Sequence, residues 1–162
     1  MIIPSVLVIT AIMMSPLQAV QQSTDNKFQK SDVNEIEKAF SSYNQALVEK
    51  KYQELPRYVQ VPFVIADGMP RIVTEIGVVV AGLRRNRESL DERGYAKSIP
   101  GKAHISVLAS DRVLVNRIIN HYKKDGSLLE SRANFYLMTK ASEGWKITGI
   151  VQQEVAYAGK MY

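Results

Sequence analysis

The chain reads as a single α+β domain in which a curved antiparallel sheet wraps round a few helices. Two observations predict this fold class. Apolar residues recur at three- and four-residue intervals through the first half, then alternate after Tyr95 between short polar turns. Hydrophobic residues fill 46% and charged residues 23% of 162 positions, so one core can form without a metal or disulfide staple.

Residues Ile2 to Met14 are uncharged and mostly apolar, and Ser15-Pro16-Leu17-Gln18-Ala19 then leads into polar sequence. This is the order of a secretory signal, with cleavage expected after Ala19. The apolar core is too short for a comfortable permanent span. The expected organisation is a signal peptide over 1–19, a flexible lead-in over 20–30, the domain over 31–157 and a tail over 158–162. Export to the periplasm or the medium follows, with no stable membrane span after cleavage.

Within the domain, Asp32 and Glu35 suit a helix start, and Val33, Ile36, Phe40, Tyr43 and Leu47 mark one face of a helix running to about Lys50. A short helix over Tyr52–Tyr58, limited by Pro56, precedes a strand over Val61–Ala66. Pro62 and Pro70 should keep that strand at an edge or bend it away from the main sheet. Thr74 is the expected cap of a third helix with Ile76, Val79, Val80, Leu83 and Leu90 on its apolar face and Gly94 as its left-handed stop. Gly77 and Gly82 would each cost that helix roughly 1 kcal/mol relative to alanine, a cost that close packing against a neighbour explains. Strands over 103–109, 113–122, 128–140 and 145–155 complete an antiparallel meander.

Charge and chemistry narrow the function. The net charge of +5 comes from 21 basic residues interleaved with 16 acidic ones, without the concentrated stripe of a nucleic-acid binder. Arg84, Arg85, Arg87 and Arg93 alternate with Glu88, Asp91 and Glu92, the pattern of a solvated helix face. No cysteine is present and only His104 and His121 represent histidine, so no metal or cofactor is expected.

Sorting the strands by alternation gives a nearly all-apolar phase: Ala103, Ile105, Val107; Val113, Val115, Arg117, Ile119; Ala133, Phe135, Leu137; Trp145, Ile147, Val151. This phase should lie against the helices, and the phase with Asn116, Asn120, Asn134 and Tyr136 should face solvent or a second copy. Arg117 is the charged intruder. It either pairs with a carboxylate such as Glu130, Asp67 or Glu75, or faces a ligand.

The element order and several strings resemble the nuclear-transport-factor-2-like superfamily in its SnoaL-like bacterial branch, over about Ser31 to Glu154. The strings are Tyr58-Val59-Gln60-Val61-Pro62-Phe63, Arg71 to Thr74, and Glu143-Gly144-Trp145-Lys146-Ile147. The resemblance implies a cystatin-like, cone-shaped fold: a strongly bent antiparallel sheet, about three N-terminal helices and a cavity open at one end. It implies isomerases, dehydratases and cyclases among relatives, and equally binding or assembly modules, so fold alone does not decide function. No catalytic motif of the family transfers onto these residues.

Two functional readings follow. The first is an exported, noncatalytic pocket or assembly domain, homodimeric through the outer sheet face, that holds a small organic or anionic ligand near Arg117, Tyr43, Tyr58, Phe135 and Trp145. The second is a cofactor-free isomerase or dehydratase with Asp67 as base, Tyr43 polarising a carbonyl, and Arg117 or His121 stabilising an enolate-like oxygen. The sequence leans to the first, because the apolar phase carries no acid.

Overall fold

The computed structural model describes residues 27–158. The signal-peptide reading lies outside them. Helix α1 spans Lys30–Val48 and buries Ile36, Phe40, Tyr43 and Ala46, the stripe that its spacing dictates. It begins earlier than expected. Asp32 is the third helical residue rather than the cap; it accepts the Gln29 N–H at 2.7 Å and the Lys140 ammonium at 2.6 Å. Phe28, within the expected lead-in, already packs edge-on against Trp145, with ring centroids 6.3 Å apart.

A 3-10 turn over Tyr52–Arg57 buries Leu55 and leads into β1, Val59–Ala66. A short β2, Arg71–Val73, follows, then α2 over Ile76–Glu92. Glu75, not Thr74, takes the cap position of α2 and makes no side-chain capping bond. Gly94 ends this helix with φ of +86°, a conformation that costs other residues more. The remaining strands are β3 (Tyr95–Pro100), β4 (His104–Ala109), β5 (Arg112–Lys123), β6 (Leu128–Ala141) and β7 (Gly144–Gln153).

The sheet runs β2-β1-β7-β6-β5-β3, with β4 also on β5. Long β5 thus serves two strands along one side, β4 from Arg112 to Asn116 and β3 from Ile119 to Lys123. All pairs are antiparallel except β1 with β7, which makes the sheet mixed. The edge position falls to β2 rather than to β1. Pro62 is accommodated because the β1–β7 register breaks between Val59 and Val64, where a residue without an N–H interrupts no ladder bond.

The expected inner phase holds along β5, where Val113, Val115, Arg117 and Ile119 are buried, and at Trp145 and Ile147 of β7. It inverts in β6. Register pairs Val113 with Met138, Val115 with Tyr136 and Arg117 with Asn134, so these residues of β6 share the inner face. Phe135 and Leu137 lie on the outer one, across from Asn116 and Leu114. In β7 a further slip, with Leu137 opposite Gly149 and Met138 opposite Ile147, turns Ile150 and Gln152 inward and Val151 outward. The expected outer row of four therefore splits. Asn116 and Asn120 remain outside, accepting from Gln153 and Ser131 respectively, while Asn134 and Tyr136 face the helices.

Candidate functional site

Phe40, Val59, Met138 and Ile147 belong to the packed core, and none of them lines the cavity, whereas Phe63 is shared between core and cavity wall. That cavity, of about 290 Å³, opens between helices and sheet and is roofed by Tyr43 and Leu47 of α1 and by Val79, Gly82, Leu83, Asn86, Arg87 and Leu90 of α2. Its floor follows the register of the sheet. Tyr136 and Ile150 are neighbours, as are Asn134 and Gln152, Ile119 and Arg132, and Ser98 and His121.

Gly82 explains part of the opening. A Cβ built on it meets no atom within 4 Å, and the same is true of Gly77, so neither glycine serves the close packing expected of it. The missing side chain at 82 leaves space that belongs to the cavity.

Polar groups gather at the β3 end. The Tyr95 hydroxyl lies 2.7 Å from Ser98 Oγ, which lies 2.9 Å from His121 Nδ1. Burial foremost, then the charge of Arg132, pushes His121 down to about 4, so its imidazole is neutral at pH 7. Tyr43 is raised well above its ordinary value by burial, and Tyr136 is pushed up to about 12 by the same cause, so both hydroxyls stay protonated. Asn134 Nδ2 donates to the Tyr136 hydroxyl at 3.2 Å.

Arg87 is the residue that sequence reasoning misplaced. It is only 8% exposed, stacked 3.9 Å over the Tyr95 ring and paired with Asp91. Its acidic neighbours suggested a wet face, yet Val79, Leu83, Arg87 and Leu90 fall on one helical stripe. That spacing was the available signal.

The expected site residues separate into two groups. Tyr43, His121 and Asp67 line the cavity, Asp67 at its margin. Asp67 is bound by both Arg71 amino nitrogens, at 2.7 and 3.2 Å, and this bond holds its carboxyl below the usual range. Arg117, Tyr58, Phe135 and Trp145 do not line it. Arg117 donates to both oxygens of Glu37 on α1, at 2.7 and 2.6 Å, with its guanidinium 4.6 Å from the Phe40 ring. None of the carboxylates proposed as its partner is the one it finds. Phe135 lies outside by the inverted register, and Trp145 belongs to the core beside Phe28.

The family described as NTF2-like protein (DUF6841) matches residues 34–155. The chain belongs to this family. No curated protein matches it. Among solved structures, an NTF2-like protein with a cystatin-like fold from Novosphingobium aromaticivorans superposes with a TM-score of 0.63 at 15% identity, covering 80% of this chain and 85% of that one. A cystatin-like protein of unknown function from Nostoc punctiforme gives 0.60 at 10% identity, covering 78% and 92%. A protein from Novosphingobium aromaticivorans that bears the provisional name scytalone dehydratase gives 0.56 at 13% identity, covering 76% and 83%. At these identities the likeness is one of fold. The NTF2-like chain shares with these neighbours a curved open sheet closed on one side by helices.

Proposed function

We propose that this NTF2-like domain binds a small organic molecule in the cavity between its helices and sheet without transforming it. The observation that carries the reading is the character of the cavity wall. Ile65, Val79, Leu83, Ile119 and Ile150 supply apolar surface, while protonated Tyr43 and Tyr136, Asn134 and Arg132 supply fixed polar groups; this mixture is typical of ligand pockets. The volume, about 290 Å³, sits near the lower end of the range of roughly 300–1,000 Å³ seen for such sites. A general base would need to be free and matched to the working pH, whereas Asp67 is 47% exposed and engaged twice by Arg71.

The test is to fill the space. Gly82→Leu places a side chain where nothing stands within 4 Å, on a helix that gains propensity from losing glycine, by somewhat less than the roughly 0.8–1 kcal/mol that separates glycine from alanine. A thermal-shift screen of small aromatic and aliphatic acids, phenols and ketones should find ligands that stabilise the unmodified chain and leave Gly82→Leu unaffected. Equal stabilisation of both proteins would place binding elsewhere.

A homodimer through the outer sheet face is a second proposal, and an apolar band supports it. Ile72, Val64, Gly149, Leu137 and Leu114 are successive cross-strand neighbours, flanked by the Val151–Phe135 pair. Ile72 is 70% exposed. Such a band is a common mark of an interface. Sedimentation of the unmodified chain and of Ile72→Lys checks it; two monomeric proteins would remove the proposal.

A further inference from the structure

The polar groups of the cavity are not evenly spread, and their charges do not cancel. Arg87 and Arg132 line the cavity beside His121, whereas their carboxylate partners Asp91 and Glu130 do not, and each of those carboxylates is shared with a second cation outside the cavity, Lys50 on Asp91 and Arg93 on Glu130. Arg87 is more than nine-tenths buried, lines the cavity, and has an Nε with no hydrogen-bond partner among the described residues. Arg132 is fixed by Glu130 and by Asn86 across from it on α2. Guanidinium groups held in advance, Arg87 buried and Arg132 partly so, whose carboxylates are each shared with a second cation and stand outside the cavity, form a receptor for a planar anion.

We propose that this end of the cavity takes the carboxylate of a small, otherwise apolar ligand. The assignment rests on the pocket reading above and adds the ligand's chemical class. Arg87 and Arg132 supply the charge, and the neutral imidazole of His121, hydrogen-bonded to Ser98, sits beside them as a polar neighbour that brings no negative charge. The apolar remainder of the ligand lies toward Val79, Gly82 and Ile150. The field is felt at His121 itself: Arg132, Arg87 and Arg93 all depress its proton affinity, against Glu130 alone. A bound carboxylate adds the missing negative charge.

The experiment compares acids with their uncharged counterparts. Hexanoate, octanoate and 2-naphthoate, each beside its primary amide, are titrated at pH 7 into the full chain, with the His121 ring resonances and the methyl signals of Val79 and Ile150 as readouts. At least one acid should bind roughly tenfold or more tighter than its amide, the ratio expected when a charged hydrogen-bonding partner is lost, and should move the His121 signal. Arg132→Gln should reduce that ratio to near one. Amides that bind as tightly as the acids leave the pocket intact and overturn the carboxylate assignment. Failure of every acid and amide to move the cavity signals counts against both readings. Should Arg132→Gln not fold, the acid-to-amide ratio in the unmodified chain decides alone.

Discussion

Arg117 offers the sharpest energetic test, because it lies on the inner face of the sheet and a single carboxylate holds it there. Its residue is 7% exposed, whereas the Glu37 side chain is 44% exposed, so water reaches one partner and hardly the other. Breaking a fully buried pair from one side costs about 3–5 kcal/mol. The open side of Glu37 reduces this, and a lost charged hydrogen bond in such a setting should cost about 1–2 kcal/mol. Glu37→Ala should therefore destabilise by that amount. Arg117→Met keeps an unbranched apolar stem against Phe40 and removes the charge, and it should stay within about 1 kcal/mol of the parent. The double variant should be about as stable as Arg117→Met alone, since Glu37 has nothing left to hold. Urea denaturation of the four proteins gives the coupling directly. If the single effects simply add, within about 0.3–0.5 kcal/mol, Glu37 does not hold Arg117 and the reasoning fails.

Two further outcomes follow from the packing and from the cavity. Gly149 stands where β1 and β7 approach, and an added Cβ would meet the Val64 Cβ and carbonyl oxygen at 3.2 Å; Gly149→Ala should lose about 1–3 kcal/mol in the same denaturation assay. His121 faces Ser98 and Tyr95 of β3, Glu130 and Arg132 of β6, and Arg87 and Arg93 from α2 and its end, and its ring signals should titrate near 4 rather than 6.5. Because its folded value is the lower one, its contribution to stability is complete above about pH 6.5 and falls as pH drops toward 4. His121→Gln should flatten that part of the stability profile, and a titration midpoint near 6.5 would show the ring to be solvated.

What could be read from the sequence was what repeats. The α1 stripe of Ile36, Phe40 and Tyr43, the alternation of β5 and the turns at Gly126 and Gly144 all follow from local rules, and the family resemblance covers the same span. The inversion of β6 was hidden because its phases are nearly equivalent. Ala133, Phe135 and Leu137 compete with Tyr136 and Met138, and register against β5 decides between them. The slip in β7 had one local sign, Gly149 inside a strand, which marks close backbone approach. The cavity had almost none. It depends on what a Gly82 side chain would have met, and on the far wall that Arg132 and His121 provide, neither of which is a property of neighbouring residues in the chain.

The most direct test is a crystal structure of the chain saturated with 2-naphthoate. The expected result is the ring system beside Gly82 and Ile150 with its carboxylate toward Arg132 and His121. A collapsed cavity, or an acid found only on the outer face of the sheet, would contradict the account.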